Sequence, residues 1–419
     1  MNKAISSSTI IPISISSSVH YLILFLLWPF LAFLTALATY SQKNSKKVVY
    51  LFLIYYGLTF VLGNIGVDAE RYAWGLKETA ELPFSEFFAV VGGLYTDTTV
   101  DIIQPLVEFI VSRFSSSHNV LFAVWAAIFG FFYLKSINLL HDRYKENPGW
   151  NAVIYMTFFL MIMPITTVGG IRMPTATWVF FLGAYHVILY RDARFLLLSL
   201  SASLIHWSFL TANAILIIYF FAGNRNIIYL PVTLASFIMP GLLSPVFQSL
   251  ATTLGGPIQE RYENYSSEGF ILGVQESAQE APWFLTLGGT LTFYFIILAL
   301  VVIQFTGRNL IKDKPQRNLF SFILLFMAFV NFAKVIPTFG GRFQETFWLF
   351  ATLYIFMYYV KKPGKNIDLL TLIGIIPMFL YAVVMFRIGA ISINSWILTP
   401  GCGIPLLFPE LSFADVFFP

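Results

Sequence analysis

The sequence predicts an all-α, polytopic integral membrane protein, and three observations point to that class. The mean hydropathy is +0.75. Hydrophobic residues make up 58% of the 419 positions and charged residues only 11%, whereas soluble domains carry about 25% charged residues. The apolar residues also cluster into tracts of helix length rather than strand length, such as 283–305, which holds no charge at all. In a bilayer only helices or closed barrels satisfy the backbone, and tracts of about 20 residues select helices.

The tracts fall at 21–39, 48–62, 120–140, 152–168, 173–190, 195–222, 227–243, 283–305, 319–336, 343–360 and 369–386. Short loops carry Lys43, Lys46 and Lys47; Arg143 and Lys145; Arg191 and Arg194; Arg225; Arg308, Lys312, Lys314 and Arg317; and Lys361, Lys362 and Lys365. The positive-inside rule places all of these on the cytoplasmic side. That assignment closes only if residues 195–222 rise and return as a broken hairpin. As one straight helix the tract would be about 40 Å long, against a hydrocarbon core of about 30 Å. A single crossing would turn the 308–317 cluster outward; a bend near 206–213 keeps every lysine-rich loop inside. The expected total is about 11–12 transmembrane segments, including the hairpin. Broken membrane helices are tolerated where they line a cavity, so the bend also marks a candidate site.

The chain is expected to form a single membrane domain over 1–419, because no polar linker divides it. Two sizeable outer loops follow from the topology. Residues 64–119 carry Asp68, Glu70, Arg71, Asp97, Asp101 and Glu108, with an amphipathic interfacial helix expected over 102–114. Residues 244–282 carry Glu260, Arg261, Tyr262, Glu263 and Tyr265. Residues 1–18 are rich in Ser and Ile and lack a signal-peptide layout. The one cysteine, Cys402, forbids an intrachain disulfide and provides no metal-ligand spacing. The net charge of +4 is spread over the lysine-rich loops, which argues for topology control and against nucleic-acid binding. Gly-rich phosphate loops, zinc signatures and nucleophile elbows are absent, and neither metal nor cofactor is expected.

Once the cytoplasmic clusters are set aside, the cations near the outer side are Arg71, Lys77, Arg113, Arg172, Arg261, Lys334, Arg342 and Arg387. Most are arginine, whose planar fork grips phosphate or carboxylate through paired hydrogen bonds. Arg172 follows Gly169 and Gly170, and Arg342 follows Gly340 and Gly341. The glycines allow close backbone approach, and a following helix N-terminus would favour an anion. The alternative for each arginine is an interfacial anchor. His206 lies deep in the 195–222 tract and is a candidate general base on a sugar hydroxyl. Its alternative is a core histidine bonded to Ser203 or Ser208. Asp68 and Glu70 resemble the acidic pair in the first loop of membrane glycosyltransferases that use lipid-phosphate sugars; a solvated face suits Glu70 better.

Several of these positions fall in a recognisable order. Gly66-Val67-Asp68 with Arg71 and Tyr72, then Gly170-Ile171-Arg172, His206-Trp207-Ser208, Arg261-Tyr262 with Tyr265, and Gly341-Arg342-Phe343 together resemble the EpsG-like branch of the Wzy-type polysaccharide polymerases. One departure is Met173-Pro174 after Arg172, where the commoner pattern has a glutamine; Pro174 still suits a helix start. The resemblance implies an enzyme of the bacterial inner membrane with a periplasmic active face. It would join undecaprenyl-diphosphate-linked oligosaccharide repeats, with membrane lipid, a chain-length regulator and a flippase as its partners. On that reading His206 or Asp68 supplies the base, and Arg172, Arg342, Arg71 and Arg261 hold the diphosphate. Tyr262, Tyr265 and Lys334 contact the sugars. The rival readings are a flippase for lipid-linked oligosaccharide and a membrane acyltransferase.

Overall fold

The computed structural model describes residues 18–62, 67–92, 101–144, 149–280, 282–307, 312–362, 364 and 366–417. Gly66, Asp97, Lys145, Arg308 and Lys365, and residues 1–17, lie outside the described residues. The described chain is helical nearly throughout, with one isolated bridge between Asn394 and Ser412. This is a polytopic all-α membrane protein.

Among the described residues, five helical segments are long and apolar enough to cross a membrane: His118–Arg143, Trp150–Gly170, Trp283–Thr306, Lys314–Ala333 and Leu369–Ala390. The bent pair Asn226–Ile238 and Pro240–Leu254, turning through 107°, makes a sixth if it is counted as one span. Other apolar tracts divide into shorter helices. Residues 21–39 break at Trp28, where Pro29 opens a second helix, into Ser18–Leu27 and Pro29–Ala38. Proline cannot donate to the preceding turn, which is why the break falls there. Around the core, Arg172–Tyr190 and Pro337–Lys361 carry continuous buried aromatic faces, with Trp178, Phe180, Phe347 and Phe350 fully or almost fully enclosed.

Residues 195–222 form the hairpin. Arg194–Ile205 and Phe209–Ala222 are separated by His206, whose extended backbone (φ −145°, ψ 110°) leaves the helix. The limbs return on one another: the Ser199 hydroxyl lies 2.6 Å from Asn213 Oδ1, and Asn213 Nδ2 donates to the Ser199 carbonyl (3.0 Å) and to Ser203 Oγ (3.0 Å). In one straight helix those residues would stand about 21 Å apart. Gly183 lets the first limb approach Arg172–Tyr190, since a Cβ there would meet the Ser199 backbone nitrogen at 2.6 Å.

A break inside a membrane frees backbone groups that need partners. The first loop supplies them. Ile102 donates its N–H to the Leu204 carbonyl (3.0 Å), and the Trp207 N–H donates to Asp101 Oδ1 (2.8 Å). The two loops expected on the outer side are themselves largely helical. The first contains Val67–Glu81, Phe87–Gly92 and Ile103–Ser112, and the second contains Ser244–Leu254, Gly256–Ser266 and Glu268–Glu280. Gln104 and Glu108, which an interfacial helix would turn to water, are buried on Ile103–Ser112.

Candidate active site

The hairpin tip, the start of Arg172–Tyr190 and both helical loops converge on one cavity system. Arg172 occupies the first position of its helix, directly after Ile171, whose φ of +38° is rare for a β-branched residue. This strained turn aims the guanidinium away from its own helix. Arg172 NH1 donates to Asp101 Oδ2 (2.6 Å) and Nε to the Tyr72 hydroxyl (2.7 Å). Asp101 is fully buried and Arg172 is 15% exposed, so the pair sits where water screens little.

Asp101 links the remaining parts. Its Oδ2 holds Arg172, while its Oδ1 accepts from Trp207 N–H and lies 3.6 Å from His206 Nδ1. Burial alone would raise its pKa, but His206, Arg172 and the Trp207 amide hold it down at about 2. His206 therefore has a permanent carboxylate behind Nδ1, leaving Nε2 as the ring nitrogen for a substrate. No serine holds the imidazole: Ser203 accepts from Asn213, and His206 Nδ1 and Ser208 Oγ have no hydrogen-bond partner among the described residues.

The arginine-rich cavity, about 210 Å³, is lined by His206 and by Asp68, Arg71, Arg172, Arg261 and Arg342 on its polar side. Phe247, Leu250, Leu254, Ile258 and Phe339 form an apolar wall, and Tyr262 and Tyr265 complete the lining. The site thus assembles eight of the nine residues expected from the sequence. Lys334 is the one it does not bring in, for its ammonium sits over the Phe293 ring, 3.6 Å from the centroid.

The local settings differ from expectation at three positions. Asp68 is salt-bridged to Arg71 across one helical turn (2.7 Å), with both side chains about half exposed, so its charge is already engaged. Arg342 stands in the second turn of Pro337–Lys361 and not at its start, because Pro337 opens that helix. Gly340, two residues before it, permits close packing: a Cβ there would meet Lys334 backbone atoms at 2.5 Å. Arg261 lies over the Trp207 ring, 5.9 Å from its centroid, which ties the second loop to the hairpin tip.

Three carboxylates join the site without having been assigned a role. Asp101 is the first. Glu108 lines a neighbouring cavity with Arg71, Arg172, Arg261 and Tyr265. Burial raises its pKa to about 7 despite the opposing effects of Gln104, Arg172 and Arg71. Glu345 lines an adjoining cavity with Asp68, Arg172, His206 and Arg342. A signal for Glu345 existed, since it follows Arg342 by three residues and shares its helix face. For Asp101 the signal is the general need of a buried arginine for a carboxylate. Among the described residues, no group of three or more His, Cys, Asp or Glu stands together as a metal site.

Fold and site together define a multi-pass helical membrane protein with an arginine-rich, amphiphilic cavity. The EpsG family pattern matches residues 48–397, so the chain belongs to the EpsG family, which is associated with polysaccharide polymerases. Neither a curated protein nor a solved structure matches it.

Proposed function

We propose that the protein is a glycosyltransferase that polymerises undecaprenyl-diphosphate-linked oligosaccharide repeats on the periplasmic side of the bacterial inner membrane. The observation that carries this reading is the Arg172–Asp101–His206 arrangement at the polar end of a cavity whose other wall is apolar. A lipid diphosphate needs both ends: arginines for the charge and an apolar surface for the chain. Family membership supports the class of polymer.

In the reaction, an acceptor sugar hydroxyl attacks the anomeric carbon of the donor glycan. The anomeric C–O bond to the diphosphate breaks, and its electron pair leaves on the diphosphate oxygen. Arg172, Arg342, Arg71 and Arg261 stabilise the charge that develops there. The hydroxyl proton passes to His206 Nε2, and the Asp101 carboxylate, 3.6 Å from Nδ1, stabilises the imidazolium. Asp68, paired with Arg71, orients that arginine rather than accepting the proton. Tyr262 and Tyr265 offer aromatic faces to the sugars. A flippase would need the arginines too, and it is told apart by the product: its loss stops export of the repeat, whereas loss of a polymerase leaves single repeats on lipid.

The test is polymerisation by purified protein in vesicles supplied with lipid-linked repeat. Wild type makes a ladder of glycan lengths. His206→Gln, which keeps a hydrogen-bonding side chain without basicity, inserts normally and makes none. A full ladder from His206→Gln at normal protein level sinks the base assignment, and the absence of any ladder from wild type sinks the polymerase reading.

A further inference from the structure

Beyond the arginine cluster lies a second, roomier cavity of about 540 Å³, lined by Asp68, Thr166, Thr167, Glu345 and Ser392 among others. The Arg172–His206–Arg342–Glu345 cavity adjoins both it and the arginine-rich one, sharing Asp68 with each. Its chemistry differs from that of the arginine-rich cavity: among the described residues its lining holds no Lys, Arg or His, and it offers three hydroxyls, the Glu345 carboxyl group and Asp68, whose charge Arg71 already engages. A lining without cations offers phosphate no partner, whereas a carboxyl group and hydroxyls exchange hydrogen bonds with the neutral hydroxyls of a sugar.

Glu345 is held in place for such a task. The Tyr381 hydroxyl lies 3.2 Å from Glu345 Oε1 and 3.0 Å from the Ile162 carbonyl, which fixes the carboxylate against the neighbouring helix. Arg342 and Glu345 share one helix face, and both line the connecting cavity with His206. At about 30 Å³ per water the volume corresponds to roughly eighteen waters, room for one or two sugar rings.

We propose that this cavity is the acceptor subsite: it takes the non-reducing-end sugar of the incoming repeat, and Glu345 binds hydroxyls next to the attacking one. The donor diphosphate stays on the arginine side, with His206 between the two. The inference rests on the polymerase reading and deepens it by separating donor and acceptor. It implies that the acceptor is recognised as sugar, without its own lipid diphosphate.

The experiment uses full-length protein in vesicles, lipid-linked repeat as donor and a fluorescent soluble oligosaccharide of one repeat, lacking lipid and diphosphate, as acceptor. Wild type extends the soluble acceptor. Glu345→Gln raises the acceptor KM by about tenfold or more, the loss expected for charge-assisted hydrogen bonds, and leaves the donor KM unchanged. Thr166→Val, an isosteric change on the same cavity wall, shifts the acceptor KM in the same direction by less, and it carries the test if Glu345→Gln is poorly folded. An unchanged acceptor KM in the folded variants overturns the proposal, as does an equal rise in donor KM. So does a wild type that polymerises lipid-linked repeats but ignores the soluble acceptor. A wild type that polymerises nothing removes the reading beneath it instead.

Discussion

The helix Arg172–Tyr190 has an arginine at each end, and the two are held in opposite ways. Arg191 follows the last turn in the left-handed region (φ 59°), and its guanidinium donates to the carbonyls of Tyr219 (3.4 Å) and Phe220 at the far end of the hairpin. A cation at a helix C-terminus is favoured by the helix dipole, and the carbonyls of the last turn gain a charged donor. Arg172 sits at the N-terminus, where the dipole disfavours a cation. It remains there through a strained Ile171, a buried Asp101 and the Tyr72 hydroxyl. Burying such a pair costs desolvation that its attraction only partly offsets. Arg191 caps the fold it joins; Arg172 is held by Asp101 and Tyr72 at the polar end of the cavity.

The largest effect that follows is on Arg172 itself. Arg172→Lys keeps the charge but loses the fork that bonds Asp101 and Tyr72 together, and polymer formation falls by about 100-fold or more. Arg342→Lys behaves similarly. Cell-surface glycan on gels reads both out, and normal chain length at normal protein level would return these arginines to the role of interfacial anchors.

Next comes Asp101→Asn, which removes the charge behind both Arg172 and His206. Activity falls roughly 100-fold, and the buried arginine left unpaired costs about 3 kcal/mol or more of stability. The pH dependence follows from the depressed pKa. Asp101 stabilises the fold above its ordinary 3.8, and that contribution is lost as pH falls toward about 2. Melting curves in detergent should show this acid loss in wild type and not in Asp101→Asn. Identical acid profiles would mean that the carboxylate is not held by these partners.

A smaller effect is expected at Glu108. Its folded-state pKa is raised from 4.5 to about 7 by burial, so its contribution is fully present below 4.5 and lost as pH rises through about 7. Glu108→Gln flattens the melting temperature between those values. Persistence of the same slope in the variant assigns it to another group. The smallest change belongs to Arg191→Lys, which loses one of two carbonyl contacts and lowers the melting temperature by about 2 °C with glycan length unchanged.

Much of this contrast was legible in the sequence. The hairpin could be read because a 28-residue tract too long for one crossing had polar residues at its centre, and Ser199 and Asn213 now pair across it. The arginines could be read because charge is costly near lipid and has to be justified. What the sequence hid were the partners. Asp101 meets Arg172 and His206 across 71 and 105 positions of chain, and no local period encodes such a contact. Lys334 misled because a lysine near a helix end also reads as a site cation, whereas here an aromatic face accepts it. The helix Gly256–Ser266 was missed because its many polar residues read as a loop, although Ile258, Tyr262 and Tyr265 recur at helical spacing and line the cavity.

The contrast between the two arginines is tested most directly by binding of undecaprenyl diphosphate, the leaving group without its glycan, to purified protein in vesicles. Wild type and Arg191→Lys should bind it equally, and Arg172→Lys at least about tenfold more weakly. Equal affinity in all three proteins would contradict the assignment of Arg172 to the diphosphate.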